Sequence, residues 1–174
     1  MNTETLLEEI NKKIKILFPE ISKLLVFDLL RGVLVSTDKK EQSISFDTND
    51  FFLYQRFLEN PTFETENFGS CNTTMLVNAK IRMVLIGKNK NIRQLFDKLG
   101  FIFYSINNQF PTIRKMELVK GWLIHDDFIK DEFLRADQNE YNKVNELFKD
   151  SNTGIAAIDY ETTFYFECIE NNCI

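Results

Sequence analysis

Two segments of the chain carry apolar residues at the three- and four-residue spacing that is typical of amphipathic helices. The first opens with Thr5 and Glu8, a capping-box pattern in which each side chain satisfies an N–H group of the first turn. Its apolar positions are Leu7, Ile10, Ile14 and Leu17. The second follows Asn91, a helix-capping residue type, and its apolar positions are Ile92, Leu95, Phe96 and Leu99. We predict that this helix continues through FIFYSI at 101–106, although Gly100 costs it about 1 kcal/mol.

Runs rich in leucine, valine and phenylalanine predict strands. The residues LLVFDLLRGVLVST at 24–37 indicate two strands, or one strand with a bulge, and Gly32 marks the break. Further strands are predicted at Glu41–Asp47, Phe68–Asn78, Ile81–Gly87 and Ile113–Ile124. We expect a short turn at Ala79-Lys80, between Phe68–Asn78 and Ile81–Gly87.

Three more helices are predicted from shorter patterns. They lie at 48–59, at Asp127–Arg135 and in a segment that begins at Asp137. Asp47 or Asn49 caps the first of them, and Asp137 with Glu140 forms a second capping box. The inward-facing residues of that last helix are Tyr141, Val144, Leu147 and Phe148.

The C-terminal residues GIAAIDYETTFYFECIE at 154–170 alternate in two runs around Tyr160-Glu161, which predicts a β-hairpin. The predicted fold class is therefore α/β (α+β), an antiparallel sheet flanked by helices with a C-terminal helix and β-hairpin extension. The polar stretch Asn107–Pro111 divides the chain into an α/β domain at 1–110 and an acidic extension at 111–174. A chain of 174 residues is one ordinary domain in size, so we expect the two parts to pack as one unit.

We expect neither a signal peptide nor a transmembrane helix in this sequence. It contains no run of 18 apolar residues, and its first residues are acidic where a signal peptide would be basic. Three cysteines, an odd number, favour free thiols in a reducing compartment. We therefore expect a cytoplasmic protein without a membrane segment.

Charge is distributed unevenly along the chain, whose net charge is −5. Residues 80–120 hold nine bases and two acids, a net of +7, whereas residues 126–174 hold four bases and twelve acids, a net of −8. Either the two segments attract each other within the fold, or one of them meets an oppositely charged partner. Nucleic acid is disfavoured as a partner, because the whole chain is acidic.

The residues GWLIHDDF at 121–128 contain the only tryptophan and the only histidine. A metal phosphohydrolase of the HD type would need further histidines, which the chain lacks. We therefore interpret Asp126 or Asp127 as the cap of the following helix, and we predict that His125 lies outside any cleft, beside a buried Trp122. A metal-dependent hydrolase centred on His125, Asp126 and Asp127 is the enzymatic alternative.

Other candidate sites are incomplete. A zinc site would require distant residues to converge, namely Cys71, His125, Cys168 and Cys173. Cysteine or serine nucleophiles would depend on the same single histidine. The loop Gly87–Asn91 lacks the glycines of a phosphate loop, so Lys88 and Lys90 would form a weak anion site at most. We assign no catalytic residue, no metal and no cofactor.

The order helix, strand pair, helix, strand pair, helix across residues 5–107 resembles the roadblock/dynein light chain domain, a member of the profilin-like superfamily. The residues LLVFD-LLRG-VLVST carry the likeness, with Asp28 and Gly32 in the family's positions. Ile81–Gly87 followed by the Asn91 helix is similar to the family's last strand and helix. The middle helix near Asn49–Glu59 is shorter than usual, and residues 111–174 have no counterpart in a minimal member.

The resemblance implies a non-catalytic scaffold that regulates a small GTPase or another protein complex, with a homodimer left open. The extension at 111–174 could then cap the sheet edge through which relatives pair. An immunity-type inhibitor, using its acidic face against a basic protein, is a second alternative. Partner-binding residues are predicted at Lys88, Lys90, Arg93, Trp122, His125, Asp126, Asp127, Tyr160 and Tyr165.

Overall fold

The computed structural model describes eight parts of the chain, which are residues 3–28, 33–36, 51–67, 73–88, 91–107, 113–123, 142 and 153–168. Two helices and seven strands have described bounds within these residues, and all seven strands belong to one sheet. The predicted mixed α/β class is confirmed. The predictions for residues 41–47 and 127–135 and for the seam at 108–111 lie outside the described residues, as does the predicted helix after Asp137 except for Asn142, which is helical.

Both strongly patterned helices are present. Helix α1 spans Thr3–Leu17 and helix α2 spans Ile92–Asn107. The start of α1 lies two residues before the predicted Thr5. Asn91 caps α2 as predicted, because the Arg93 N–H donates to Asn91 Oδ1 at 2.9 Å. The helix continues past Gly100, which lies at an exposed position with open space around it.

The seven strands follow in chain order. They are β1 Ile21–Asp28, β2 Val33–Ser36, β3 Phe51–Phe57, β4 Thr62–Asn67, β5 Thr73–Lys88, β6 Ile113–Leu123 and β7 Thr153–Cys168. Their order across the sheet is β2-β1-β3-β5-β7-β6, and β4 also pairs with β5. The β1–β3 pair is parallel and the other pairs are antiparallel. The separate strands β1 and β2 and the extended segment β6 agree with the predictions.

Strands β3 and β4 share one edge of the long strand β5. Strand β3 pairs with residues 81–87 of β5, and β4 pairs with residues 73–78. Residues 58–61 separate the two strands opposite Ala79 and Lys80, and the Leu58 N–H donates to the Lys80 carbonyl at 2.9 Å. The strand β4 was not predicted, since Pro61 and its polar neighbours give no hydrophobic alternation there.

The predicted helix at 48–59 is wrong over its described part, because residues 51–57 form strand β3. This strand lies between β1 and β5. Phe52 and Tyr54 are buried on one face of the sheet, and Leu53 and Gln55 are buried on the other. A strand buried on both faces carries a nearly continuous apolar run, which periodicity alone does not distinguish from a helix.

Two predicted turns are also wrong. Residues 73–88 form one continuous strand where a turn was expected at Ala79-Lys80, and residues 153–168 form another where a hairpin was expected. The two strands pair over all 16 residues, from Thr73 opposite Cys168 to Lys88 opposite Thr153. Ala79 is buried in the core, and Lys80 contacts Glu161 of β7 and Glu59 of the connection between β3 and β4, so both fit an uninterrupted ladder.

Both faces of the sheet are buried. The helix-side face, on which α1 and α2 pack, contributes Leu53, Ile81, Met83, Leu85, Ile158 and Phe164 to the main core, among others. The second face carries its own buried residues, including Leu25, Phe27, Phe52, Tyr54, Val84, Ile86, Ile155 and Ala157. Helix α2 connects β5 to β6 across β7, so the described strands of segment 111–174 complete the same sheet.

Candidate functional site

The C-terminal end of α1 and the middle of α2 present large apolar side chains to solvent. Phe18 and Phe101 join the two helices, because their rings meet edge to face with centroids 5.7 Å apart. Around this contact, Ile16 is 73% exposed, Leu17 37%, Phe101 61% and Tyr104 70%. We call these four residues, Ile16, Leu17, Phe101 and Tyr104, the helix face. Exposed aromatic and aliphatic side chains of this size are typical anchors of protein interfaces.

Helical periodicity explains why Phe101 and Tyr104 point outward. The buried residues of α2 are Leu95, Leu99, Ile102, Phe103 and Ile106, which lie on one side of the helix. Phe101 and Tyr104 are three residues apart on the opposite side, where burial would require a second layer. The helical spacing in the sequence indicates these outward positions. The predicted apolar positions ended at Leu99, so Phe101 and Tyr104 were not predicted to bind a partner.

Lysine residues surround the apolar side chains at the end of α1. Lys12 and Lys13 precede Ile16 and Leu17 by four residues, which places each lysine on the same strip of the helix as one apolar residue. Lys12 Nζ donates to Glu9 at 2.7 Å, and this hydrogen bond raises the pKa of the lysine.

Two further lysines hold the end of α1 in place. Lys15 Nζ donates to the Ile21 carbonyl at 2.7 Å. Lys98 of α2 lies 2.5 Å from Glu20 and 4.7 Å from the centre of the Phe51 ring, so it ties α2 to the turn between α1 and β1 and to β3. The Lys98 hydrogen bond lowers the pKa of the Glu20 carboxyl group.

Strand β6 offers a second exposed apolar feature, because Leu118 is 55% exposed and Val119 57%. Within the described part of the chain β6 pairs only with β7, so it lies at an edge of the sheet. Its register shifts between Ile113 and Lys115 and again between Leu118 and Lys120. Such bulges interrupt the row of hydrogen-bonding groups that an added strand would need. The helix face is therefore the better candidate for a binding surface.

On the second face of the sheet, Arg82 and Asp159 form a buried ion pair. The atoms Nε and Nη2 of Arg82 lie 2.6 Å and 2.9 Å from the two carboxylate oxygens of Asp159. The neighbouring residue Lys80 lies 3.1 Å from Glu59 and 3.8 Å from Glu161. Both contacts between β5 and β7 join the basic middle segment to the acidic C-terminal segment. At these positions the basic and acidic segments therefore neutralise each other within the fold.

A neutral polar cluster lies on the helix-side face. Tyr160 Oη donates to Gln55 Oε1 at 2.7 Å, and Gln55 Nε2 donates to Asn11 Oδ1, also at 2.7 Å. Asn11 Nδ2 donates in turn to the Leu25 carbonyl at 3.3 Å. All three side chains are buried, and burial raises the pKa of the Tyr160 hydroxyl. Tyr160 was predicted to bind a partner; instead, its hydroxyl is used within the core.

Four of the other predicted partner-binding residues have described positions. Arg93 is exposed in the first turn of α2, and Tyr165 is half-buried on β7 opposite Leu76. Lys88 ends β5, and Trp122 lies on β6 opposite Ala157. The remaining predicted residues, Lys90, His125, Asp126 and Asp127, lie outside the described residues, and so do Cys71 and Cys173.

The described ranges contain no group of three or more His, Cys, Asp or Glu residues that could hold a metal ion. Neither of the two helices in these ranges is long and apolar enough to cross a membrane. No protein-family model matches the chain, and no curated protein matches it significantly.

Proposed function

We propose that this chain is a non-catalytic protein-interaction module that binds another protein through the helix face. The observation that carries the proposal is the exposure of four large apolar side chains on two adjoining helices. Ile16, Phe101 and Tyr104 are each more than half exposed, although removing such side chains from water contributes about 1.5–3 kcal/mol apiece. A partner that covers them gains this free energy.

A scaffold role of the roadblock or profilin-like type, with a small GTPase as the regulated partner, remains part of this proposal. A cytoplasmic location also belongs to it, since an odd number of cysteines favours a reducing compartment. The middle helix on which the resemblance partly depended is strand β3 over residues 51–57. The proposal therefore depends on the helix face and not on the family likeness.

The two alternative functions receive less support. An inhibitor with an acidic binding face would need free carboxylates, whereas Asp159 and Glu161 contact Arg82 and Lys80 of the same chain. A hydrolase would be centred on residues 125–127, which lie outside the described ranges. Neither alternative gains a specific observation from the structure.

Selection from a displayed peptide library tests the proposed function. The protein would be screened as the wild type and as the double variant Ile16→Ser, Phe101→Ser, with Gln94→Ser on the exposed side of α2 as the matched control. We expect peptides that bind the wild type and the control but lose at least about tenfold in affinity for the double variant, as anchor residues do. Peptides that bind all three proteins equally would contradict a role for the helix face.

A further inference from the structure

We propose that the segment bound at the helix face is an amphipathic α-helix of a partner protein, with Asp or Glu residues beside its apolar anchors. This inference rests on the proposed function and specifies the partner. It combines two observations, the arrangement of the exposed apolar side chains on two adjoining helices and the charges next to them.

The dimensions of the surface suit a helix. Helices α1 and α2 contain 15 and 16 residues, which correspond to lengths of about 22 Å and 24 Å. The apolar residues of the helix face lie on both helices, and Phe101 joins them through its contact with Phe18, which follows Leu17. A partner helix of about four turns would span this surface, with anchors spaced by three and four residues meeting Leu17, Phe101 and Tyr104.

The charges next to these anchors are basic. Lys12, Lys13 and Lys15 lie within the last two turns of α1, and residues 10–19 contain no acidic residue. The exposed anchors of α2, Phe101 and Tyr104, lie in a part of the helix, 99–107, that has no charged residue at all. A bound segment would thus meet ammonium groups beside Ile16 and Leu17, and acidic side chains on that segment would complement them.

The same charges disfavour two other occupants. In a symmetric dimer formed by the helix face, the lysines of one copy would approach those of the other, and like charges in contact are destabilising. A membrane surface is broad and anionic, so it would meet Glu8, Glu9, Glu20 and Asp97 together with the lysines, on a chain whose net charge is −5. A partner helix along the end of α1 would lie beside Lys12, Lys13 and Lys15, where basic side chains outnumber the acidic Glu9 that contacts Lys12.

Two synthetic peptides of about 16 residues test the inference. They share leucine anchors at helical spacing and differ only in the flanking residues, which are glutamate in one and lysine in the other. Fluorescence anisotropy would give their affinities at about 0.05 M and 0.5 M salt. We expect the glutamate peptide to bind about tenfold more tightly at low salt and the difference to shrink at high salt.

Charge reversal in the protein provides the second arm. Lys12→Glu with Lys13→Glu is expected to reverse the preference between the two peptides. Lys80→Glu, at an exposed lysine on the second face of the sheet, should leave that preference unchanged. Circular dichroism of each variant would establish that it is folded before its affinities are compared.

The outcomes separate this inference from the proposed function. Equal affinity for both peptides, with binding still lost in Phe101→Ser, would overturn the acidic preference and leave the interaction module intact. Absence of binding by either peptide, together with no helix-face ligand from the library, would overturn both. Tighter binding to phosphatidylcholine vesicles that contain phosphatidylserine would overturn the inference in favour of a membrane. A dimer in light scattering that Ile16→Ser abolishes would overturn it in favour of a second copy.

Discussion

The two buried polar clusters lie on opposite faces of one sheet and satisfy their hydrogen-bonding groups in different ways. On the helix-side face, Asn11, Gln55 and Tyr160 are neutral and link α1 to the strands β3 and β7. On the second face, Arg82 and Asp159 are charged and link the neighbouring strands β5 and β7. The first cluster therefore fixes how a helix docks, whereas the second fixes how two strands are aligned.

This difference has an energetic counterpart. A neutral cluster whose donors and acceptors are matched costs little desolvation, so each of its hydrogen bonds contributes about 1 kcal/mol. A buried ion pair loses the hydration of two charges, and its attraction about balances that loss. We interpret the ion pair as fixing the register of β5 and β7. A shift of one residue between these strands would move Asp159 to the other face of the sheet, away from Arg82.

Breaking the ion pair should have the largest effect on stability. Asp159→Ala leaves the Arg82 guanidinium buried without its carboxylate, and we expect the free energy of unfolding to fall by about 3–5 kcal/mol. Urea denaturation followed by circular dichroism measures this change. Glu161→Ala is the matched control, since Glu161 is half exposed beside Lys80 and its loss should cost less than about 1 kcal/mol.

Replacing both charged residues sharpens the comparison. If the pair mainly aligns the strands, Arg82→Leu with Asp159→Leu should recover most of the stability lost in Asp159→Ala. A double variant as unstable as the single one would show that the pair itself stabilises the fold, and the register interpretation would then be wrong.

Removing the centre of the neutral cluster should have the next largest effect. Gln55→Leu leaves Asn11 Oδ1 without a donor and the Tyr160 hydroxyl without an acceptor, and both groups stay buried. Each unsatisfied group costs about 1–3 kcal/mol, so we expect a total loss of about 2–4 kcal/mol in the same urea experiment. Gln94→Leu, on the exposed side of α2, should change stability by less than about 0.5 kcal/mol. Equal losses in the two variants would contradict the matched network.

Alkaline pH should weaken the helix-side cluster. The pKa of Tyr160 is raised in the folded state, so the fold keeps its proton more tightly than the unfolded chain, whose tyrosine pKa is about 10. The stability from this group is complete below pH 10 and is lost as pH rises above it. Between pH 9 and pH 11 we expect the free energy of unfolding of the wild type to fall by about 1.4 kcal/mol more than that of Tyr160→Phe. Identical pH profiles would show that the hydroxyl is not buried.

Thr162→Val should have the smallest effect and the opposite sign. Among the described residues, Thr162 Oγ1 is a buried side-chain oxygen without a hydrogen-bond partner, on the same face as the neutral cluster. Valine has nearly the same shape, and removing an unsatisfied hydroxyl should raise the free energy of unfolding by about 1 kcal/mol. Thermal denaturation would detect this as a higher Tm. A lower Tm would indicate that the hydroxyl is satisfied in solution.

Local periodicity was sufficient to predict the helices and failed for the central strands. In α2 the Asn91 cap and the stripe from Leu95 to Leu99 depend only on neighbouring turns, so the sequence determines them. The secondary structure of residues 51–57 depends on pairing with strands β1 and β5, and the local sequence pattern contains no information about those partners. Tertiary context therefore overrode a plausible helical pattern.

The same distinction applies to the candidate site. Phe101 and Tyr104 follow from extending the stripe of α2, so the helix face was within reach of the sequence. The neutral cluster could not be predicted, because its hydrogen-bonded partners are far apart in the sequence. Gln55 and Tyr160, for example, are separated by 105 residues. The buried ion pair, with partners 77 residues apart, was equally hidden.

The position of β7 between β5 and β6 has a consequence for the order in which the chain folds. Every paired residue of β5 and β7 is 65 to 95 positions apart in the chain, so the longest ladder of the sheet closes a large loop. Among the described strands β6 pairs with β7, so the β6–β7 pair joins the rest of the sheet when that loop closes. Contacts of such high sequence separation form slowly. We therefore expect α1 and strands β1–β5 to assemble first, and a partly built sheet with an open β5 edge to be the species most exposed to aggregation.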